Sequence, residues 1–153
     1  MVRLNQIAEP LRSHLADLPC PTFDDQPWVG GPAVEARRVA IVSTAGLHRR
    51  DDRPYSVGAT DYRIVPGETA AADLVMSHVS SNFDRSGFQQ DINVVFPIDR
   101  LRELAAQGRI GSVAGFHYSV MGATTPEHLE TAAHEIAGLL KADAVDAVLL
   151  VPI

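Results

Sequence analysis

The chain of 153 residues has a single cysteine, Cys20, so it cannot close an internal disulfide. A reducing compartment, by default the cytoplasm, is the expectation. It has no apolar run near the roughly 20 residues that span a bilayer, so no membrane partner is expected. The N-terminal stretch MVRLNQIAEPLRSHL lacks a continuous apolar core and carries Glu9, which makes it a poor signal peptide. Positive charge is scarce: 13 Lys and Arg stand against 19 Asp and Glu, for a net charge of −6. That balance argues against a broad nucleic-acid footprint, which needs clustered Lys and Arg. Several motifs are missing too. The first clear strand is not followed by GxGxxG, so a dinucleotide site has no support, and neither Ser43 nor Ser77 sits in a GxSxG elbow. Cys20 has no CxxC partner, and no internal repeat or low-complexity segment is present.

What is present is the composition of an ordinary globule, 46% hydrophobic and 21% charged, in a chain long enough for a real core. Residues 4–18 place Leu4, Ile7, Leu11, Leu15 and Leu18 at helical spacing, with Pro10 as a kink or break. Residues 19–36 are rich in Pro and Gly and read as a loop, with Trp28 as its packing anchor. VAIVSTA is an almost continuous apolar run of the kind buried on both faces of a parallel sheet. A charged loop, RRDDRPYSVGATD, follows it. Short strands are expected at DYRIVP and DLVMSH, then a polar segment over 79–91 long enough to be an active-site loop.

The stretch 91–122 reads as strand-like NVVFP, a short helix, a break at Gly108 and a second strand around SVAGFHYS. Pro97 suits the first helical turn, and Asp99 meets the positive end of the helix dipole there. Strand, helix, strand is the unit of a parallel sheet, whose chemistry gathers at the carboxyl ends of the strands. Thr125-Pro126 starts a further helix, with Leu129, Ala132, Ala133, Ile136, Leu139 and Leu140 on one side. DAVLLVPI closes the chain as a buried strand. The expected fold is a single α/β domain over 37–153, three-layered, with a largely parallel sheet and helices on both faces. Residues 1–36 form a helix and loop that pack on the core.

His48, His78 and His117 fall at or near strand ends and are candidates to line a pocket and donate protons. Three convergent histidines would also suit a catalytic zinc, but no HxH or HExxH spacing supports one, and no metal is expected. The plainer reading is that each imidazole is hydrogen-bonded and structural. His14, His128 and His134 belong to helices and to packing or surface. Ser43 and Thr44 sit at the carboxyl edge of the first strand. Asp84 and Asp91 flank the polar loop and could hold a substrate ammonium; solvated loop carboxylates are the alternative.

Together STAGLH at 43–48, SH at 77–78, DINVVFPIDRLRELAAQGRIG at 91–111 and HYSVMG at 117–122 resemble the selenoprotein B family. These are the substrate-specific subunits of glycine, sarcosine, betaine and D-proline reductases and their short relatives. The resemblance runs from about Arg37 to Ile153 and puts Thr44, His48, His78, Asp91, Asp99, Arg100, His117, Tyr118 and Gly122 in the matching motifs. It implies reductive cleavage of a carbon–nitrogen bond in an amino acid or N-substituted amino-acid-like substrate. His48, His78 and His117 would serve the leaving amine, and Ser43, Thr44, Asp84, Asp91 and Tyr118 the substrate; Asp99 and Arg100 read as structural. It also implies partner subunits, one of which carries a pyruvoyl group in the glycine and proline systems.

In that family a selenocysteine or cysteine follows the strand matching DAVLLVPI. The expectation is therefore that this sequence stops just before its nucleophile, with no separate cofactor. An apolar edge left there would favour homo-oligomers. Two other readings stay open: a non-catalytic ligand- or partner-binding domain of the same fold, and a metal-dependent hydrolase or racemase built on the three histidines.

Overall fold

The apolar run after Arg37 becomes the centre of a sheet. β1, Arg38–Ser43, has parallel neighbours on both sides in the computed structural model, which describes residues 3–18, 22, 24, 28–80 and 85–153. Cys20 and Asp84 lie outside the described residues. On one side β7, Ala147–Val151, pairs with β1 from Val39 to Ser43. On the other lie β5, Ser112–Val113, and β6, Phe116–Val120, with β3, Tyr62–Pro66, antiparallel outside β6. β2, Leu47–Arg49, and β4, Leu74–Met76, form a separate antiparallel ribbon. This is the α/β fold with a mostly parallel sheet that the sequence predicts.

Alternation along the strands divides the core into two faces. Val39 and Ile41 of β1 join Phe96 and the helix α3, Ile98–Ala106, through Ile98 and Leu101. Val42, Tyr118 and Val120 pack with the opposite helix α4, Glu130–Ala142, through Ile136. Helices thus cover both faces. β7 differs from its expected burial. Among the described residues it pairs only with β1, and Leu150 is 69% exposed.

NVVFP does not form a strand. A five-residue helix α2, Ser86–Gln90, runs into a 3-10 turn at Ile92–Val94. The Asp91 carboxylate accepts the Asn93 main-chain N–H at 2.9 Å, and the Asn93 side-chain oxygen accepts the Asp99 N–H at 3.1 Å. Side chains that satisfy the backbone locally compete with a ladder, and here Asp91 caps the 3-10 turn while Asn93 serves the first turn of α3. Arg102 then reaches from Asp99, at 2.8 Å, to the Gly67 carbonyl, tying α3 to the turn after β3.

β5 and β6 are the two halves of one expected strand, separated by Ala114 and Gly115. Arg38 and Val39 face Ser112 and Val113, but Val42 and Ser43 face Tyr118 and Ser119. Two residues of β1 therefore stand opposite four, a two-residue bulge. The Asp143 carboxylate fills the gap by accepting the N–H groups of Gly115, at 2.7 Å, and Phe116, at 3.2 Å. Arg38 pairs with that carboxylate at 2.6 Å. Burial alone would raise the Asp143 pKa, but Arg38 and the two N–H donors hold it below the usual carboxylate value.

The chain divides into two compact units, Met1–Gly30 and Gly31–Ile153, and the sheet belongs to the second. In the first, the helical spacing over 4–18 yields a 3-10 turn, Leu4–Gln6, and a short helix α1, Leu11–Ala16. Pro10 separates them, and neither contains a buried residue. Trp28 is 88% exposed rather than a packing anchor. Among the described residues no helix is long and apolar enough to cross a membrane.

Candidate functional site

Past Ser43 the chain leaves β1 and runs back beside the end of β6. Gly46 donates its N–H to the Val120 carbonyl at 3.0 Å, and Leu47 donates to the Ser119 hydroxyl at 2.8 Å. Gly46 has a φ of 62° and touches the His78 backbone and Met121, so a side chain there would be both strained and crowded. Ser77 donates its N–H to the Gly46 carbonyl, which brings the residue pair 77–78 to the same edge. The segments STAGLH, SH and HYSVMG therefore meet at the carboxyl end of the parallel strands.

The end of β7 joins them. The Thr44 N–H donates to the Val151 carbonyl at 3.1 Å. The Thr44 hydroxyl accepts the Ile153 N–H at 2.7 Å and donates to the Ile153 carbonyl at 3.3 Å. Gly122 closes the knot by donating its N–H to the Thr44 carbonyl at 2.9 Å. A Cβ on Gly122 would stand 2.7 Å from that carbonyl oxygen, 2.9 Å from the Thr44 hydroxyl and 3.0 Å from the Ile153 carbonyl oxygen.

The candidate side chains are distributed unevenly about this edge. His78 is nearest, buried against Gly46. Its Nδ1 accepts the Ser80 N–H at 3.2 Å, so Nε2 carries the ring proton in the neutral form. Burial, and then the Arg85 guanidinium, hold its pKa below 6.5. His48 is buried on β2, and its Nδ1 lies 2.7 Å from the Arg49 carbonyl, which requires a proton on Nδ1. His117 is fully buried near the start of β6, standing perpendicular to Phe96 at 5.8 Å. Burial lowers its pKa to about 4.

Ser43 is fully buried, donating to the Val95 carbonyl at 2.8 Å and accepting the Ala45 N–H. Tyr118 faces α4 and packs edge-on against Tyr62. Asp91 is exposed as the cap of the 3-10 turn Ile92–Val94, and hydrogen bonds from Asn93 lower its pKa. The structure thus brings Thr44 and His78 to one edge, while Ser43, His117 and Tyr118 belong to the core around it.

Further participants had no pattern to announce them. Arg63 is buried and donates to the Arg53 and Tyr62 carbonyls at 2.8 and 2.9 Å. Its guanidinium lies 4.3 Å above the Tyr55 ring. The Tyr55 hydroxyl donates to the Ser119 carbonyl, and burial raises its pKa. Together they pin the charged loop after β2 over the end of β6. A buried Arg surrounded by carbonyls has no periodicity to reveal it.

Two open grooves of about 470 and 440 Å³ flank Arg50, one beside Glu68 and Thr69, the other beside Phe88, Gln90 and Asp91. None of the three histidines lines either one. Among the described residues no group of three or more His, Cys, Asp or Glu could hold a metal ion. The metal-dependent reading is left without a ligand set there.

Residues 11–152 match the family model described as glycine/sarcosine/betaine reductase selenoprotein B. The D-proline reductase subunit gamma of Acetoanaerobium sticklandii is 36% identical over 115 residues, covering 73% of this chain and 47% of that one. The betaine reductase complex component B subunit beta of Peptoclostridium acidaminophilum is 31% identical, over 88% of this chain and 32% of its own length. The glycine reductase complex component B subunit gamma of Carboxydothermus hydrogenoformans is 31% identical with the same coverage. The chain thus spans about half the length of the first relative and about a third of the other two. No solved structure matches it.

Proposed function

From the premise that this chain belongs to the glycine/sarcosine/betaine reductase selenoprotein B family, we propose that it forms the strand-edge scaffold of a reductase acting on an amino acid or N-substituted amino acid. The observation that carries this reading is the convergence of Thr44, Gly46, His78 and Gly122 with the end of β7 at one edge of the sheet. Strand carboxyl ends are where open α/β sheets bind ligands.

The nucleophile in this proposal is a selenolate or thiolate reaching the edge from sequence that follows Ile153. It attacks the carbon that bears nitrogen, forming a selenium– or sulfur–carbon bond as the carbon–nitrogen bond breaks. A neutral or ring nitrogen takes a proton as its bond breaks, and in this proposal His78 gives it; a quaternary nitrogen leaves as a neutral amine without one. Return of the carbon to a C–H bond consumes two electrons and a proton, for which a dithiol is the reductant class. The relatives are a reductase subunit and a subunit of a reductase complex component, which supports assembly with partner subunits here.

The test is to express the gene with the codons that follow Ile153, together with neighbouring reductase subunits, under conditions that insert selenocysteine. Release of ammonia or an amine from glycine, sarcosine or betaine, or opening of the D-proline ring to a single open-chain amino acid, driven by a dithiol, is the expected result. Ligand binding without turnover in that preparation would favour the non-catalytic binding domain.

A further inference from the structure

We infer that Thr44 and Gly122 are a positioning pair that holds the main chain, as it leaves β7, beside the end of β1 and against the chain leaving β6. β7 and β6 lie on opposite sides of β1, so their ends would ordinarily stand two strand spacings apart, roughly 10 Å. Yet a Cβ on Gly122, just beyond β6, would be 3.0 Å from the Ile153 carbonyl oxygen. The chains leaving β6 and β7 therefore converge at Thr44, whose carbonyl accepts the Gly122 N–H at 2.9 Å while Ile153 stays beside it. One side chain holds this end of the chain: the Thr44 hydroxyl takes both the N–H and the C=O of Ile153, as a neighbouring strand would. Gly122 leaves the path open, since any side chain would fill the space that Ile153 and Thr44 occupy.

Whatever residue follows Ile153 is delivered to the edge where Gly46, Met121 and His78 already meet. Under the proposed function that residue is, or closely precedes, the nucleophile. This part of the inference rests on that reading; the steering does not. Thr44 is a positioning residue and acts through the main chain of Ile153.

The experiment uses the chain extended by one cysteine after Ile153, with Cys20→Ser, and a nitroxide spin label on the added thiol. In the otherwise unchanged protein the label should give an immobilised line shape. Thr44→Val, which keeps the shape and removes the hydroxyl, should free it, and Thr44→Ser should restore the immobilised spectrum. Gly122→Ala should free the label by a separate route. Amide exchange in the unextended chain gives a second reading: the Ile153 N–H should exchange about tenfold faster in Thr44→Val, as expected for one lost hydrogen bond. The Ile41 and Leu149 amides should keep their protection, which confirms folding. A label as mobile with Thr44 present as in Thr44→Val would overturn the inference. An immobilised label in a protein whose complete form cleaves no substrate would instead sink the reductase reading and leave the steering in place.

Discussion

The imidazole of His117 accepts the main-chain N–H of Ile41 at 2.9 Å, so a side chain supplies the rung that the bulge between β5 and β6 removes from the ladder. With Nδ1 as acceptor the ring is neutral and carries its proton on Nε2. The residue that reads as a candidate proton donor is here part of the sheet.

Stability should fall in acid because of it. Burial lowers the His117 pKa from 6.5 to about 4 in the folded protein. Its contribution is complete above about pH 6.5, where both states are neutral, and is lost as pH falls toward 4, where the unfolded chain binds a proton that the native one refuses. The loss is about 3 kcal/mol over that window. His117→Gln, which offers an oxygen to the Ile41 N–H but does not titrate, should flatten urea-derived stability between those two pH values. An unchanged slope would refute this assignment.

Asp143→Asn should destabilise the protein by about 2 to 3 kcal/mol. The carboxylate accepts two bulge N–H groups and pairs with Arg38, and charge-assisted bonds of this kind exceed neutral ones. Asn offers a single neutral oxygen and leaves Arg38 without its charge partner. Chemical denaturation of the two proteins measures the difference.

Asn93→Ala should cost about 1 kcal/mol, the usual value of a lost cap. Asn93 receives nothing from the core; its oxygen serves the Asp99 N–H at the start of α3, and its amide nitrogen donates to Asp91 at 2.8 Å. Thermal unfolding should show the loss, while ligand affinity should not change. A drop in affinity at full stability would move this motif from support into the site.

Under the proposed function, His78→Gln should lower the kcat of the reconstituted complex by about 100-fold with little change in KM, the ordinary size of a lost general acid. The pKa of His78 is lowered by burial and by Arg85, so turnover that needs its imidazolium should fall as pH rises through a value below 6.5. The variant should lose that limb of the pH profile.

What the sequence made legible follows from how local the cause was. VAIVSTA became the central strand because an apolar run without polar interruption can be satisfied only by burial on both faces. Thr125-Pro126 marked the short 3-10 turn Pro126–Leu129 that leads into α4, and Ala132 and Ile136 bury as their spacing implied. NVVFP misled because its apolar residues mask Asp91 and Asn93, whose side chains satisfy the backbone before any strand can. In the site, strand-end logic grouped Thr44, His48, His78 and His117; the structure sets Thr44 and His78 at one edge and buries His117 near the start of β6. That logic could not separate His117 from Tyr118, adjacent residues that alternation sends to opposite faces. Nor could it foresee that Thr44 would hold a residue 109 positions away.

The bulge between β5 and β6 adds two residues, and the parity of that number matters more than its size. Side chains alternate with a period of two, so an even insertion returns every later residue to its own side, while an odd one exchanges inside for outside. Removing Gly115 alone would turn His117 toward α4 and Tyr118 toward Phe96, stranding a polar ring under one helix and a phenol under the other. Across the family, length changes at this point should therefore come in pairs.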